Sequence, residues 1–238
     1  MAFNCPVSTW KADQLIDQLA LARGQAVLDA GCGNGEFLLR LLARTGATGT
    51  GVDSNAASIA EAQDRARATL PNGSCRFLAT PMADADVAPG SFDAAVCLGS
   101  THAFGRGQAA WPNALTGLAR LVRPGGRLLL GEGYWRQPPD PAYRALLGEP
   151  VGIYHDHAGN IAVAEQAGLV PLYAMVSSDD EWDDFEWGHR QPFELAALAN
   201  PEDPEVRQRL QASREWRDGY LRWGRDTMGF GLYVFLRP

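Results

Sequence analysis

The stretch Val27-Leu28-Asp29-Ala30-Gly31-Cys32-Gly33-Asn34-Gly35-Glu36-Phe37 constrains the fold more than any other part of the chain. A short apolar run ends near Asp29, and glycine follows at alternate positions. Phe37, Leu38, Leu41 and Leu42 then recur at helical spacing. Glycine is needed where the backbone takes a positive φ or where a ligand presses against it. A strand, a glycine loop and an amphipathic helix, in that order, put the loop at the carboxyl edge of a parallel sheet. In open α/β sheets that edge is where ligands bind.

The same alternation continues along the chain. Strand patterns are expected at 25–30, 48–53, 74–79, 92–98 and 127–131, with helices at 56–70 and 109–122 between them. A first helix starts at a Ser8 or Thr9 cap and ends at Gly24, and Pro124-Gly125-Gly126 separates the helix after strand four from strand five. Apolar strands alternating with helices imply a parallel sheet covered on both faces, and right-handed crossovers make it doubly wound. Beyond residue 133 the pattern changes. Residues 134–154 read as an irregular excursion, 156–167 as a helix stopped by Gly168, and 169–177 as a sixth strand. Residues 181–224 read as two or three helical pieces, broken near Pro192 and at Asn200-Pro201, before a last strand at 229–236. Two strands separated by a long insert suit an edge pair, one of them antiparallel. The expected fold is thus an α/β doubly wound, seven-stranded, mostly parallel sheet with an antiparallel edge strand and helical cap insertions. It forms one domain over 1–238, with a core of about 20–133 plus strands near 169–177 and 229–237, capped by 1–20, 134–154 and 178–228.

The loop selects a ligand class. The dinucleotide fingerprint G-x-G-x-x-G needs glycine where this chain has Glu36. An acidic residue there repels a pyrophosphate at the helix N-terminus, so a ligand with positive charge and no phosphates fits better. Gly51-Val52-Asp53 closes the second strand, and a carboxylate at that point can accept from both hydroxyls of a ribose. The plainer role for Asp53 is to cap the helix starting near Ala56.

Net charge is −7, and the longest charge cluster is acidic: Asp179, Asp180, Glu181, Asp183, Asp184 and Glu186. Nucleic-acid binders need a basic face, so no nucleic-acid partner is expected. No run approaches ~18 consecutive apolar residues, and the N-terminus lacks a basic stretch followed by an apolar one. Neither a membrane span nor a signal peptide is expected. Cys5, Cys32, Cys75 and Cys97 follow no metal-ligand spacing and fit free thiols in a reducing, cytoplasmic setting. His155 and His157 flank Asp156, but residues two apart on a helix do not share a face, so no metal is expected.

Together these segments resemble the class I S-adenosylmethionine-dependent methyltransferases, which have a Rossmann-like fold. VLDAGCGNGEF resembles their first motif and GVDSN the acidic motif after strand two. SFDAAVCLGS resembles their strand-four segment and LVRPGGRLLLGE the strand-five segment. The stretch GEGYWRQPP resembles a bacterial group acting on small molecules. The resemblance covers about 20–135 and the last two strands. It implies that S-adenosylmethionine is the cofactor, leaving as S-adenosylhomocysteine. Gly31, Gly33 and Gly35 would lie against its methionine and ribose, with Cys32 and Leu98 beside them. Asp29 would reach the methionine amino group, Asp53 the ribose hydroxyls and Ser54 the adenine. The family often has an acidic or amide residue just after strand three, and here Asp84 is displaced, so Met82, Ala83 and Asp84 together are assigned to the adenine pocket.

Methyl transfer from a sulfonium is an in-line displacement in which alignment supplies much of the acceleration. A hydroxyl or ammonium acceptor also needs a base. His102, after strand four, and Glu132, at the end of strand five, are the candidates, each with a plainer alternative as a polar loop or strand-end residue. Ser100, Thr101, Tyr134 and Trp135 are expected in the acceptor pocket. Trp182, Trp187, Trp216, Tyr220 and Trp223 are expected as an aromatic lid or, at helical spacing, as core. Leu98-Gly99-Ser100-Thr101-His102 stands where DNA amino-methyltransferases carry Asp/Asn-Pro-Pro-aromatic, and the Pro-Cys of cytosine C5 enzymes appears only reversed, as Cys5-Pro6. A small-molecule acceptor is favoured over protein or RNA. The rivals are a cofactor-binding module without catalysis and a nicotinamide-dependent oxidoreductase. The chain is expected to be a monomer or a homodimer.

Overall fold

Seven strands form one sheet in the order β3-β2-β1-β4-β5-β7-β6 in the computed structural model, which describes residues 2–71, 73–148 and 152–238. The strands are β1 (Ala26–Ala30), β2 (Thr48–Asp53), β3 (Cys75–Ala79), β4 (Phe92–Leu98), β5 (Val122–Trp135), β6 (Val170–Val176) and β7 (Met228–Leu236). All neighbours pair in parallel up to β5, and β7 runs antiparallel to both β5 and β6. The reversed strand thus belongs to the edge pair, one place in from the edge.

The apolar strands read as they do because both faces are covered. Val27, Val96, Leu129, Leu232 and Val234 pack on one side with Leu15, Ile16, Leu38 and Leu41, which belong to α1 (Thr9–Leu19) and α2 (Glu36–Thr45). Leu28, Ala95, Leu128, Leu130, Tyr233 and Phe235 pack on the other with Trp111, Leu115 and Ala164, from α4 (Ala110–Leu121) and α6 (His157–Gln166). Between these, α3 (Ala56–Thr69) joins β2 to β3, and α5 (Pro141–Leu147), α7 (Asp179–Ala199) and α8 (Pro204–Gly219) lie in the segments expected as caps. Leu28 and its neighbours are fully buried, and truncating such a leucine to alanine costs about 2–5 kcal/mol.

Four boundaries differ from expectation. Helix α1 ends at Leu19, with Ala20 left-handed at φ 50°, so Gly24 lies in the following turn and does not end the helix. Strand β5 is longer than 127–131: its pairing with β7 runs from Arg127↔Leu236 to Trp135↔Met228, which carries Tyr134 and Trp135 into the sheet. The excursion therefore starts later than 134, and its residues 149–151, like Met1 of the 1–20 cap, lie outside the described residues. Helix α7 runs through Pro192. An interior proline costs ~3 kcal/mol, and contacts on both sides of it hold the helix: Trp216 Nε1 donates to Glu186 at 2.9 Å, and Glu194 pairs with Arg214 at 2.6 Å. The expected break falls only at Asn200.

Candidate active site

The three alternate glycines take positive φ, at 74° for Gly31, 53° for Gly33 and 76° for Gly35. The loop they build is stitched to the end of β2. Gly31 and Cys32 donate from their backbone nitrogens to the Val52 carbonyl at 2.8 and 3.1 Å. Gly33 N donates to one Asp53 oxygen at 2.9 Å, and Asn55 N donates to the other at 2.8 Å. The cap of α3 is Asn55, which accepts from Ala57 and Ser58. Asp53 is therefore free of the capping role, and each of its oxygens keeps a lone pair for a further donor. The loop also lies close to the end of β4: a Cβ on Gly31 would come within 2.2 Å of the Ser100 Cβ.

A cavity of about 510 Å³ opens over this loop. Asp29, Glu36, Asp53 and Glu61 line it, together with Gly31, Gly33, Cys32, Leu98 and Ser100, and among the described residues no lysine or arginine does. Asp29 is 3 % exposed. Burial, with the charge of Asp53 adding to it, pushes its carboxyl up to about 7. Burial, then Asp29 and Asp53, also push the Cys32 thiol up, so it is not a nucleophile. Glu36 pairs with Arg65, which draws part of its charge toward α3. A second cavity of about 280 Å³ adjoins, walled by Val52, Asp53, Ser54, Thr80, Pro81 and Met82. A third, of about 400 Å³, lies beyond β4 and is lined by Thr101, Arg106, Trp111, Glu132, Ile153 and Tyr154 among others. His102 borders all three, and Gly99 borders the first and third.

This arrangement fits a cationic nucleoside. Four carboxylates suit a ligand that carries positive charge, Asp53 can take two hydroxyls, and the Val52–Pro81–Met82 wall suits a flat base. A pyrophosphate set among the same carboxylates would be repelled, which removes the nicotinamide reading.

Residues 27–126 match the family described as "Methyltransferase domain". A 2-phytyl-1,4-naphtoquinone methyltransferase of Trichormus variabilis is 31 % identical over 171 residues, which is 71 % of this chain and 69 % of that one. The chain belongs to the class I S-adenosylmethionine-dependent methyltransferases. A methyltransferase of Geobacter sulfurreducens, solved with S-adenosylhomocysteine, superposes with a TM-score of 0.86 at 27 % identity, covering 100 % of this chain and 94 % of that one. YjhP of Escherichia coli is 27 % identical over 92 % of this chain and 87 % of its own length.

The methyltransferase site gathers most of the residues singled out in the sequence, and leaves some outside. Asp29, Gly31, Cys32, Gly33, Asp53, Ser54, Met82, Leu98, Ser100, Thr101, His102 and Glu132 all line one of the three cavities. Gly35 shapes the loop as the N-cap of α2. Ala83 and Asp84 do not line the adenine-sized cavity: both are exposed in the turn Met82–Asp84, and Thr80 and Pro81 take their place. Tyr134 and Trp135 line none of the three cavities. The Tyr134 ring fills the space over Gly229, where a Cβ would lie 2.2 Å from its Cζ, and packs against His157. Trp135 packs on Tyr143 and Tyr154. Asp156 caps α6 by accepting from Gly159 N at 2.6 Å, and His157 Nδ1 lies 3.0 Å from the Tyr233 hydroxyl, so this segment serves the packing of α6. The aromatic residues of the insert divide: Trp182 and Tyr220 stack on each other, Trp223 packs on Tyr143, and Trp187 and Trp216 are exposed.

The sequence reading missed Phe3, Asn4 and Cys5 as cavity walls. They are held by contacts far apart in the chain. Glu181 accepts from Ser8 N at 3.0 Å and pairs with Lys11, and His189 Nε2 meets Asn4 Oδ1 at 3.2 Å. The one local signal was the capping box of Ser178 and Glu181 at the start of α7.

Glu132 occupies the floor of the third cavity. It accepts from the Thr101 hydroxyl and, on its other oxygen, from Gly133 N at 2.8 Å. Burial raises its carboxyl above the ordinary range, and these two bonds pull it partly back.

Proposed function

We propose that this methyltransferase transfers the methyl group to an oxygen or nitrogen of a small molecule seated over Glu132, with Glu132 as general base. The observation that carries this is the position of Glu132: a half-buried carboxyl in a cavity that meets the cofactor cavity at Gly99 and His102. When bound, S-adenosylmethionine supplies the methyl group and a sulfur leaving group that takes back the bonding pair. Asp53 and Asp29 hold the nucleoside and the amino group, and Gly31 and Gly33 let the backbone approach. Thr101 and Gly133 fix the Glu132 carboxyl so that one lone pair faces the acceptor proton. His102, exposed at the junction of the three cavities, gives that proton a route to solvent. Segments 2–20, 136–148 and 178–227 act as the cap that keeps water from the transfer.

A small acceptor fits a 400 Å³ cavity and accords with the naphtoquinone enzyme among its relatives. Four free cysteines support a cytoplasmic location. The test is turnover with a panel of hydroxyl and amine acceptors, comparing the natural chain with Glu132→Gln. Turnover lowered roughly 10²–10⁴-fold with S-adenosylhomocysteine affinity unchanged supports the base. Turnover unchanged by the substitution refutes it. Cofactor binding with no turnover on any acceptor points to a binding module.

A further inference from the structure

The two halves of the site differ in charge, one acidic and the other balanced between an acid and a base. Among the described residues the cofactor cavity is lined by four carboxylates and no arginine or lysine. Among the described residues the acceptor cavity is lined by one carboxylic acid, Glu132, and one arginine, Arg106. Glu132 already accepts from Thr101 and Gly133 and is turned inward. Arg106 has no ion pair or side-chain hydrogen bond among the described residues. Other arginines are committed to carboxylates, among them Arg40 to Asp13, Arg44 to Asp17, Arg65 to Glu36, Arg214 to Glu194 and Arg225 to Asp183. In a chain of net charge −7, an arginine lining a cavity with its fork unused is available to an anionic ligand. It sits between Gly105 and Gly107, at the lip of the turn that follows β4.

We propose that the acceptor is a carboxylic acid, whose carboxylate is paired by Arg106 while its nucleophilic hydroxyl or amine lies against Glu132. This rests on the methyltransferase reading of the same site. A guanidinium matches a carboxylate in a two-point fork. One guanidinium answers one negative charge, which favours a carboxylate over a phosphate dianion beside Glu132. Between the two charged ends the walls are Trp111, Ile153 and Tyr154, an apolar and aromatic lining suited to a flat body. Trp111 is fixed as a wall because its Nε1 donates to the Asn160 carbonyl at 3.1 Å. The acceptor class is thus a hydroxy- or amino-substituted aromatic carboxylic acid small enough for about 400 Å³.

The experiment is calorimetric titration of the protein saturated with S-adenosylhomocysteine. The probes are hydroxy- and aminobenzoates, each beside its neutral methyl ester, and the proteins are the natural chain, Arg106→Gln and Arg106→Lys. Arg106 is exposed and bonded to no described side chain, so both variants should fold. The expected result is at least one acid that binds roughly tenfold or more tightly than its ester. Arg106→Gln should erase that preference and leave ester binding unchanged, and Arg106→Lys should keep part of it. Added salt should weaken the acid alone. Acids binding no better than esters, acid binding unchanged in Arg106→Gln, or no binding of any acid would each overturn the proposal. Failure of S-adenosylhomocysteine itself to bind would strike the methyltransferase reading, and is seen separately in the loading step.

Discussion

Cofactor affinity should depend on pH through Asp29. Its carboxyl is nearly inaccessible to water, and burial together with Asp53 pushes it up to about 7. A ligand that brings an ammonium group to Asp29 needs the ionised form. With a free-protein value near 7, about a tenth of Asp29 is ionised at pH 6 and about three quarters at pH 7.5, so affinity should rise roughly eightfold over that range. Binding at pH 6 should release about 0.9 proton, falling to about a quarter of a proton at pH 7.5. The assay is calorimetry with S-adenosylhomocysteine in buffers of different ionisation enthalpy. Asp29→Asn should bind more weakly at pH 7.5 and show neither the slope nor the proton release. His102 borders the same cavity. A slope that persists in Asp29→Asn would assign the titration to another group and refute the reasoning. The sign for the cofactor-free protein is opposite: the folded state holds a proton that an unfolded Asp29 has lost. Its contribution to stability is therefore greatest below pH 4 and is lost as pH rises to about 7, at most roughly 4 kcal/mol in all.

Two further outcomes follow from the geometry. Gly31→Ala places a Cβ 2.2 Å from the Ser100 Cβ at φ 74°, costing about 1–2 kcal/mol for the left-handed backbone alone; thermal unfolding should show the loss, and Ser100→Gly should recover the part due to the clash, so strict additivity of the two would count against it. Burial works against ionisation of Glu181, but Lys11, Ser8 and Ser178 more than offset it and hold its carboxyl below the ordinary range. Its stabilisation is present at neutral pH and lost as pH falls through that lowered range. Glu181→Leu leaves Lys11 with the Val176 carbonyl but no counter-charge and should destabilise by roughly 3 kcal/mol, with faster proteolysis of the first few residues and faster release of S-adenosylhomocysteine; unchanged proteolysis would sink it.

The cofactor half of the site was legible because its causes are local. Three glycines at alternate positions, one carboxylate before them and one at the end of the next strand each state their own conformational or chemical need within a few residues. The same holds for the strands, since Val27 and Leu28 face different helices and both are apolar. Where the cause is distant, the reading slipped. Pro192 signals a break, and only Glu186 with Trp216 and Glu194 with Arg214 show why α7 continues. Tyr134 and Trp135 follow Glu132 in sequence, and only the nine-residue pairing with β7 shows that they remain in the sheet.

That pairing also explains why Glu132 survives as a candidate while Tyr134 does not. Both carry the parity of Leu128 and Leu130 and so face the α4–α6 side of the sheet. Above Tyr134 that side is closed by His157 of α6, which stacks on Tyr233 and is tied to it at 3.0 Å. Above Glu132 the cover is the loop Thr101–Phe104 and the segment around Ile153 and Tyr154, which leave a cavity. One step along a single strand thus separates a packed aromatic ring from a half-buried acid with space before it. The acid end of that space is built by β5, and its cationic end by the turn after β4 that also touches the cofactor cavity. A carboxylate acceptor bound by Arg106 would therefore press on the turn that holds Ser100 against Gly31. If so, S-adenosylhomocysteine and such an acid should raise each other's affinity by the same factor in the calorimeter, as linkage requires. Independent binding would mean that the turn is rigid and that the two cavities are merely neighbours.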